Sequence, residues 1–271
     1  MKQEAFFLNC GLARRFCLFH PPPAAGSARA SILYLHPFAE ELNRSRRMAA
    51  LQARQLAQAG YAVLQMDLYG CGDSDGDFGD ATWAQWVSDA DAALDWIKQR
   101  CLAPLWLWGL RAGSLLAADV LKRRSDVAGL LLWQPQLSGK QALRQFLRIK
   151  LAEQMLSGGT NGGDAQLRQR LLQGRSVEIA GYTLSPALGL EMELVEFNVP
   201  DVPLRIECLV VAPGSESAPA PALATRLAQW GTAGHSARAT VVNGAPFWQM
   251  AEPKEVPALL EATIQAMAAS P

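Results

Sequence analysis

Several features that commonly announce a function are scarce or absent in this sequence of 271 residues. It has only 3 His, and its 5 Cys (Cys10, Cys17, Cys71, Cys101 and Cys208) include no C-x-x-C pair. That leaves no zinc pattern and reads as reduced thiols in a cytoplasmic protein. Lys+Arg and Asp+Glu are balanced at 25 each, so no surplus charge drives counterion release, and nucleic acid is excluded as a partner. No apolar run approaches the ~18–20 residues of a membrane span, and the N-terminal apolar stretch breaks too soon for a signal peptide. There is no Walker A loop, and Gly70-x-Gly72 lacks the third glycine of a dinucleotide fingerprint. The aspartates from Asp73 to Asp77 suggest calcium, but positions 6 and 12 of an EF-hand count hold Phe78 and Ala84, not Gly and Glu. No metal and no cofactor are expected.

What is present is 50% hydrophobic residues with 18% charged ones, enough for a large core. Short β-rich runs alternate with helical periodicity, the pattern of a mostly parallel, doubly wound α/β sheet. Runs at 6–10 and 15–20 flank Gly11 and predict an antiparallel hairpin at the sheet edge. Strands are expected at 32–35, 61–67, 105–108, 129–133, 207–211 and 240–242. Helices are expected at 46–59, 83–99, 112–122, 223–230 and 256–267. Between 136 and about 203 the alternation fails. Leu143, Leu147, Leu151 and Met155 form an amphipathic stripe, a glycine-rich loop spans 157–163, a helix is expected near 166–173, and 177–184 resembles a hairpin. The segment is too long for a plain connection. The expected division is a core of 1–135 and 204–271 with a lid of 136–203.

The strand at 105–108 runs into Gly109-Leu-Arg111-Ala-Gly113 and then a helix, the frame of a nucleophile elbow. The residue at its centre is expected at positive φ, and it is Arg111. A guanidinium stays protonated, so it is neither nucleophile nor base. Leu35-His36-Pro37-Phe38 stands where an oxyanion loop belongs, and Asp67-Leu-Tyr-Gly-Cys-Gly-Asp-Ser74 follows the next strand. On these motifs the chain resembles the α/β hydrolases over nearly its whole length. The stretch from His36 to Met48, Gly109-Leu-Arg111 and Asn243-Gly-Ala-Pro-Phe-Trp248-Gln249 resemble more narrowly the exosortase A system-associated hydrolase, type 2. That resemblance implies an α/β-hydrolase fold with an inserted lid, and a bacterial protein tied to exopolysaccharide and surface-protein sorting; it implies no substrate.

Family order requires a nucleophile, an acid and a histidine. Glu216 is the candidate acid, and Pro246 or Phe247 falls where the histidine belongs, so the triad reads as degenerate. His235 precedes the last strand and is expected on a surface loop. Catalytic candidates are Arg111, His36 (a base, or a loop histidine bonded to main chain), Ser114 (a displaced nucleophile, or a packing serine) and Glu216. The N–H groups of Phe38 and Ala112, with Arg111, would make an anion or oxyanion site. Alternatively Glu40 or Glu41 turns in and pairs with Arg111. Ser74 and Trp248 complete the expected pocket, and Arg144, Arg148 and Lys150 make a basic face on the lid. Three functions stay open: an ester- or acyl-type hydrolase, a pseudo-hydrolase binding an anionic glycan or acyl ligand, and a scaffold. The sequence does not state an oligomeric state.

Overall fold

A computed structural model describes residues 3–23, 28–156, 163–214 and 217–269. In chain order its strands are β1 (Glu4–Cys10), β2 (Ala13–His20), β3 (Ser31–Leu35), β4 (Ala62–Met66), β5 (Leu105–Leu110), β6 (Val127–Trp133), β7 (Val177–Ile179), β8 (Tyr182–Leu184), β9 (Arg205–Ala212) and β10 (Ser236–Asn243). Its helices are α1 (Glu40–Gln58), α2 (Trp83–Arg100), α3 (Gly113–Leu121), α4 (Gly139–Leu156), α5 (Asp164–Leu172), α6 (Pro186–Glu193), α7 (Pro221–Thr232) and α8 (Pro257–Ala268). Eight strands form one sheet in the order β1-β2-β4-β3-β5-β6-β9-β10. From β4 to β10 neighbours run parallel, and the β1–β2 hairpin joins β4 antiparallel at the edge.

Strands β3 and β5 are buried along their whole length. Continuous apolar runs are what a parallel strand covered on both faces requires. One buried cluster packs the sheet against α2, α3 and the α4–α6 region; a second, holding Trp108, Trp133 and Phe247, packs its other face against α1 and α8. Helix α4 buries Leu143 and Leu147 as the stripe predicts, while Met155 at the far end stands exposed.

Three expectations are corrected. Helix α1 begins at Glu40, not 46. The polar run from Glu40 to Ser45 hides its start, and Ala39 turns the chain into the helix at φ 50. Helix α6 was not expected, although Ser185 caps it by accepting from the Leu188 N–H (3.1 Å) and Pro186 opens it. His235 is buried, with Nδ1 accepting from the Leu204 N–H at 3.2 Å. The expected loop residues 157–162, and Glu216, lie outside the described residues.

Candidate functional site

Among the described residues four non-glycine residues have positive φ, and three of them, Ala39, Arg111 and Gln134, stand just past or at the C-terminal ends of β3, β5 and β6. Such backbone costs on the order of 1–3 kcal/mol per residue and persists where surrounding structure holds it. Parallel α/β sheets carry their sites at this end. Arg111 is at φ 54, the geometry expected of an elbow. Its N–H donates to Trp133 O at 3.0 Å and its carbonyl accepts from the Ser114 N–H at 3.0 Å, so neighbouring main chain locks the turn. A Cβ on Gly113 would meet Leu35 O at 2.1 Å and His36 O at 2.9 Å. Glycine there lets the first turn of α3 rest on the chain leaving β3.

The Arg111 side chain is nearly buried and engaged through Nε and Nη2. Nε donates to Glu41 Oε1 at 3.2 Å and Oε2 at 3.3 Å, and Nη2 donates to Glu41 Oε1 at 3.1 Å and to Gln145 Oε1 at 2.9 Å. The Gln136 side chain donates to the same Gln145 oxygen at 2.9 Å. The guanidinium carbon stands 5.5 Å from the Trp248 ring centroid. A cavity of about 370 Å³ opens beside this network, walled in part by Phe38, Glu40, Glu41, Arg44, Arg111 and Arg148. Burial pushes the Glu41 carboxyl above its ordinary range, with Arg111 pulling it back down. Burial also raises Glu40, whose Oε2 is buried without a hydrogen-bond partner.

His36, Ser114 and Ser74 stand apart from this cavity. His36 is buried, with Nδ1 on Pro37 O at 2.8 Å and Nε2 accepting from the Leu68 N–H at 3.3 Å. Both ring nitrogens are taken by main chain, and burial lowers the imidazole's pKa. It lines a separate cavity of about 190 Å³ with Tyr34, Arg46 and Asp67. Ser114 is fully buried; its Oγ donates to Arg111 O and accepts from the Gln136 N–H at 3.0 Å. Ser74 closes its own turn, its Oγ donating to Asp67 O and accepting from the Phe16 N–H at 2.9 Å. The Phe38 ring packs edge-on against Phe78, Trp86 and Phe146, and Ala112 is buried at the head of α3. Trp248 is buried against Phe247, which fills the expected histidine position with core packing. On α4, Lys150 pairs with Glu153 at 3.5 Å, so the expected basic face runs through other residues.

Sequence reasoning missed Gln145, Gln136 and Arg44. Arg44 was findable, three residues beyond Glu41 on one helix face. The glutamines carry no signal, because nothing local distinguishes them from a solvated amide. No histidine and no serine lines the Arg111 cavity among the described residues. Among the same residues no His/Cys/Asp/Glu group could hold a metal ion, and no helix is long and apolar enough to cross a membrane.

Elbow turn, sheet order and edge hairpin define an α/β hydrolase. The chain belongs to the serine aminopeptidase S33 family, whose model matches residues 26–168. No curated protein matches it. Among solved structures it is similar to ferulic-acid-bound Est1E of Butyrivibrio proteoclasticus (TM-score 0.63, 14% identity, covering 97% of this chain and 96% of that one). It is also similar to the α/β hydrolase GrgF of Penicillium sp. sh18 (0.63, 16%, 98% of each) and to the proline iminopeptidase of Mycobacterium smegmatis (0.57, 15%, 97% of each). At these identities the likeness is one of fold.

Proposed function

We propose that the chain is a non-catalytic member of its hydrolase family, with a degenerate triad, that binds a carboxylate-bearing glycan or acyl ligand in the Arg111 cavity. The observation that carries this reading is the elbow itself: a permanent cation stands where a nucleophile belongs, already clasping a carboxylate. Glu41 fills the role of the ligand's acid group, so an incoming carboxylate exchanges with it on a fork suited to bidentate contact. The N–H groups of Ala112 and Phe38 and the charges of Arg44 and Arg148 add to the anionic preference. Residues 136–203 act as a lid over the cavity. The resemblance to the exosortase A system-associated hydrolases supports a cytoplasmic role alongside exopolysaccharide export.

A second reading, ester or acyl hydrolysis by an atypical set, is favoured by Glu40. Its carboxyl lines the cavity with one oxygen unpartnered and is raised by burial, the direction that suits general acid work. Fluorophosphonate labelling with mass-spectrometric mapping, paired with thermal shift, separates the readings. The expected result is no adduct on Ser114 or Ser74 and a Tm that rises with uronate or carboxylate ligands. An adduct on either serine, or turnover of a carboxylate ester that is lost in Glu40→Gln, overturns the binding reading.

A further inference from the structure

The outer face of α4 carries Lys140, Arg144 and Arg148 at i, i+4 and i+8, all exposed. Four residues of helix advance about 6 Å, so the three charges form a stripe of even spacing along one face. None of the three pairs with a carboxylate among the described residues, although the chain as a whole is charge-balanced. Arg148, at the end of the stripe, lines the Arg111 cavity. Alongside it, Gln141 and Gln145 face a second groove of about 510 Å³, which also touches Arg111 and is closed across from α4 by Thr225, Arg226 and Gln229 of α7. Arg226, too, has no acidic partner among the described residues. Gln145 belongs to both hollows and bonds Arg111 directly.

We propose that α4 and the glutamine-lined groove form a binding site for an acidic oligosaccharide, a chain of uronate-type sugars that runs along the stripe and ends with a carboxylate at Arg111. This rests on the Arg111 cavity being a ligand site. Cations at regular intervals match a linear ligand with repeating carboxylates. Beside the stripe, the amides of Gln141, Gln145 and Gln229 and the Thr225 hydroxyl match sugar hydroxyls, which donate and accept in turn; the carboxylate that lines the groove, Glu196, accepts from the Ser138 hydroxyl at 2.9 Å. A single-stranded nucleic acid needs aromatic platforms for its bases, and no aromatic side chain lines the second groove. A lipid surface needs an apolar face beside the cations, but the apolar face of α4 (Ala142, Leu143, Phe146 and Leu147) is spent on the core.

Titration calorimetry on the full chain with galacturonic acid, its hexamer, a neutral glucose hexamer and a six-residue oligothymidylate tests this. The uronate hexamer is expected to bind roughly tenfold or more tighter than the monomer, because linked contacts act at high effective concentration. Its affinity is expected to fall with salt by about one extra logarithmic slope unit per engaged cation. The double variant Lys140→Ala/Arg144→Ala removes two exposed, unpaired side chains, keeps its circular dichroism, and is expected to lose the hexamer's advantage while binding the monomer as before. A hexamer no tighter than a binding monomer overturns the stripe and leaves the Arg111 reading standing. Failure of both to bind overturns the Arg111 reading and this proposal with it. A neutral hexamer as tight as the uronate hexamer overturns the role of charge, and a tighter oligothymidylate overturns the sugar class.

Discussion

Two of the largely buried arginine–carboxylate pairs among the described residues differ in what surrounds them. Arg15 on β2 meets Asp89 on α2 at 2.7 Å, with side-chain exposures of 1% and 0%. Asp89 also accepts from the Tyr69 N–H at 3.0 Å and from the Gln85 amide at 2.9 Å, and Arg15 lies over the Tyr69 ring. Both carboxylate oxygens have fixed donors, and the pair pins the edge hairpin to the sheet's helical cover. Arg111 and Glu41 meet at 3.1 Å with exposures of 11% and 14%, beside a cavity of about 370 Å³. The same chemistry is sealed in one place and bordered by open volume in the other. An ion pair next to open volume can exchange its partner, because water or a ligand compensates the released charge; a sealed pair cannot.

The sharpest way to break this contrast is to remove one carboxylate at a time. Asp89→Asn leaves a guanidinium in a sealed interior, and the expected loss is about 3–5 kcal/mol in urea denaturation. Glu41→Gln keeps one acceptor and leaves Arg111 within reach of water, so the expected loss is smaller, about 1–2 kcal/mol. Added sulfate or uronate should raise the Tm of Glu41→Gln more than that of the parent chain, since the internal competitor is gone. Equal losses at the two sites, or no extra anion response in Glu41→Gln, would erase the distinction between pin and exchangeable clasp.

The same contrast marks how far the sequence could be read. The parallel sheet, the edge hairpin and the elbow were legible because each depends on local pattern: apolar runs, a glycine-flanked turn, a change from strand to helix period. Arg111 was legible because its neighbours in sequence define its place. Arg15 was not, since its partner is 74 residues away and a charged residue in a hairpin strand normally faces water. His36 was placed near the elbow, but its two hydrogen bonds go to main-chain groups whose positions only the folded turn fixes. Gln145, which completes the Arg111 clasp, is one polar residue on an amphipathic helix. Its role comes from where the helix lies, and no periodicity encodes that.

The smallest effect expected is the most specific to the cavity. Burial raises the Glu40 carboxyl above its ordinary 4.5, so the folded chain holds this proton more tightly than the unfolded one. Stability from this group is therefore complete below pH about 4.5 and declines as pH rises through the higher folded value. Glutamine at position 40 cannot titrate. Glu40→Gln should match the parent near pH 4 and become the more stable of the two as pH approaches neutrality. Glu41 slopes in the same sense. His36, whose pKa burial lowers, slopes in the opposite sense, stabilising the fold as pH rises towards 6.5. Both remain in parent and variant, so the difference between the two curves reports Glu40 together with its repulsion by Glu41. Chemical denaturation at a series of pH values reads that difference directly. A constant offset would mean that the Glu40 carboxyl is solvated like any surface acid, and the orphaned oxygen in the cavity wall would then have no energetic consequence for a ligand to relieve.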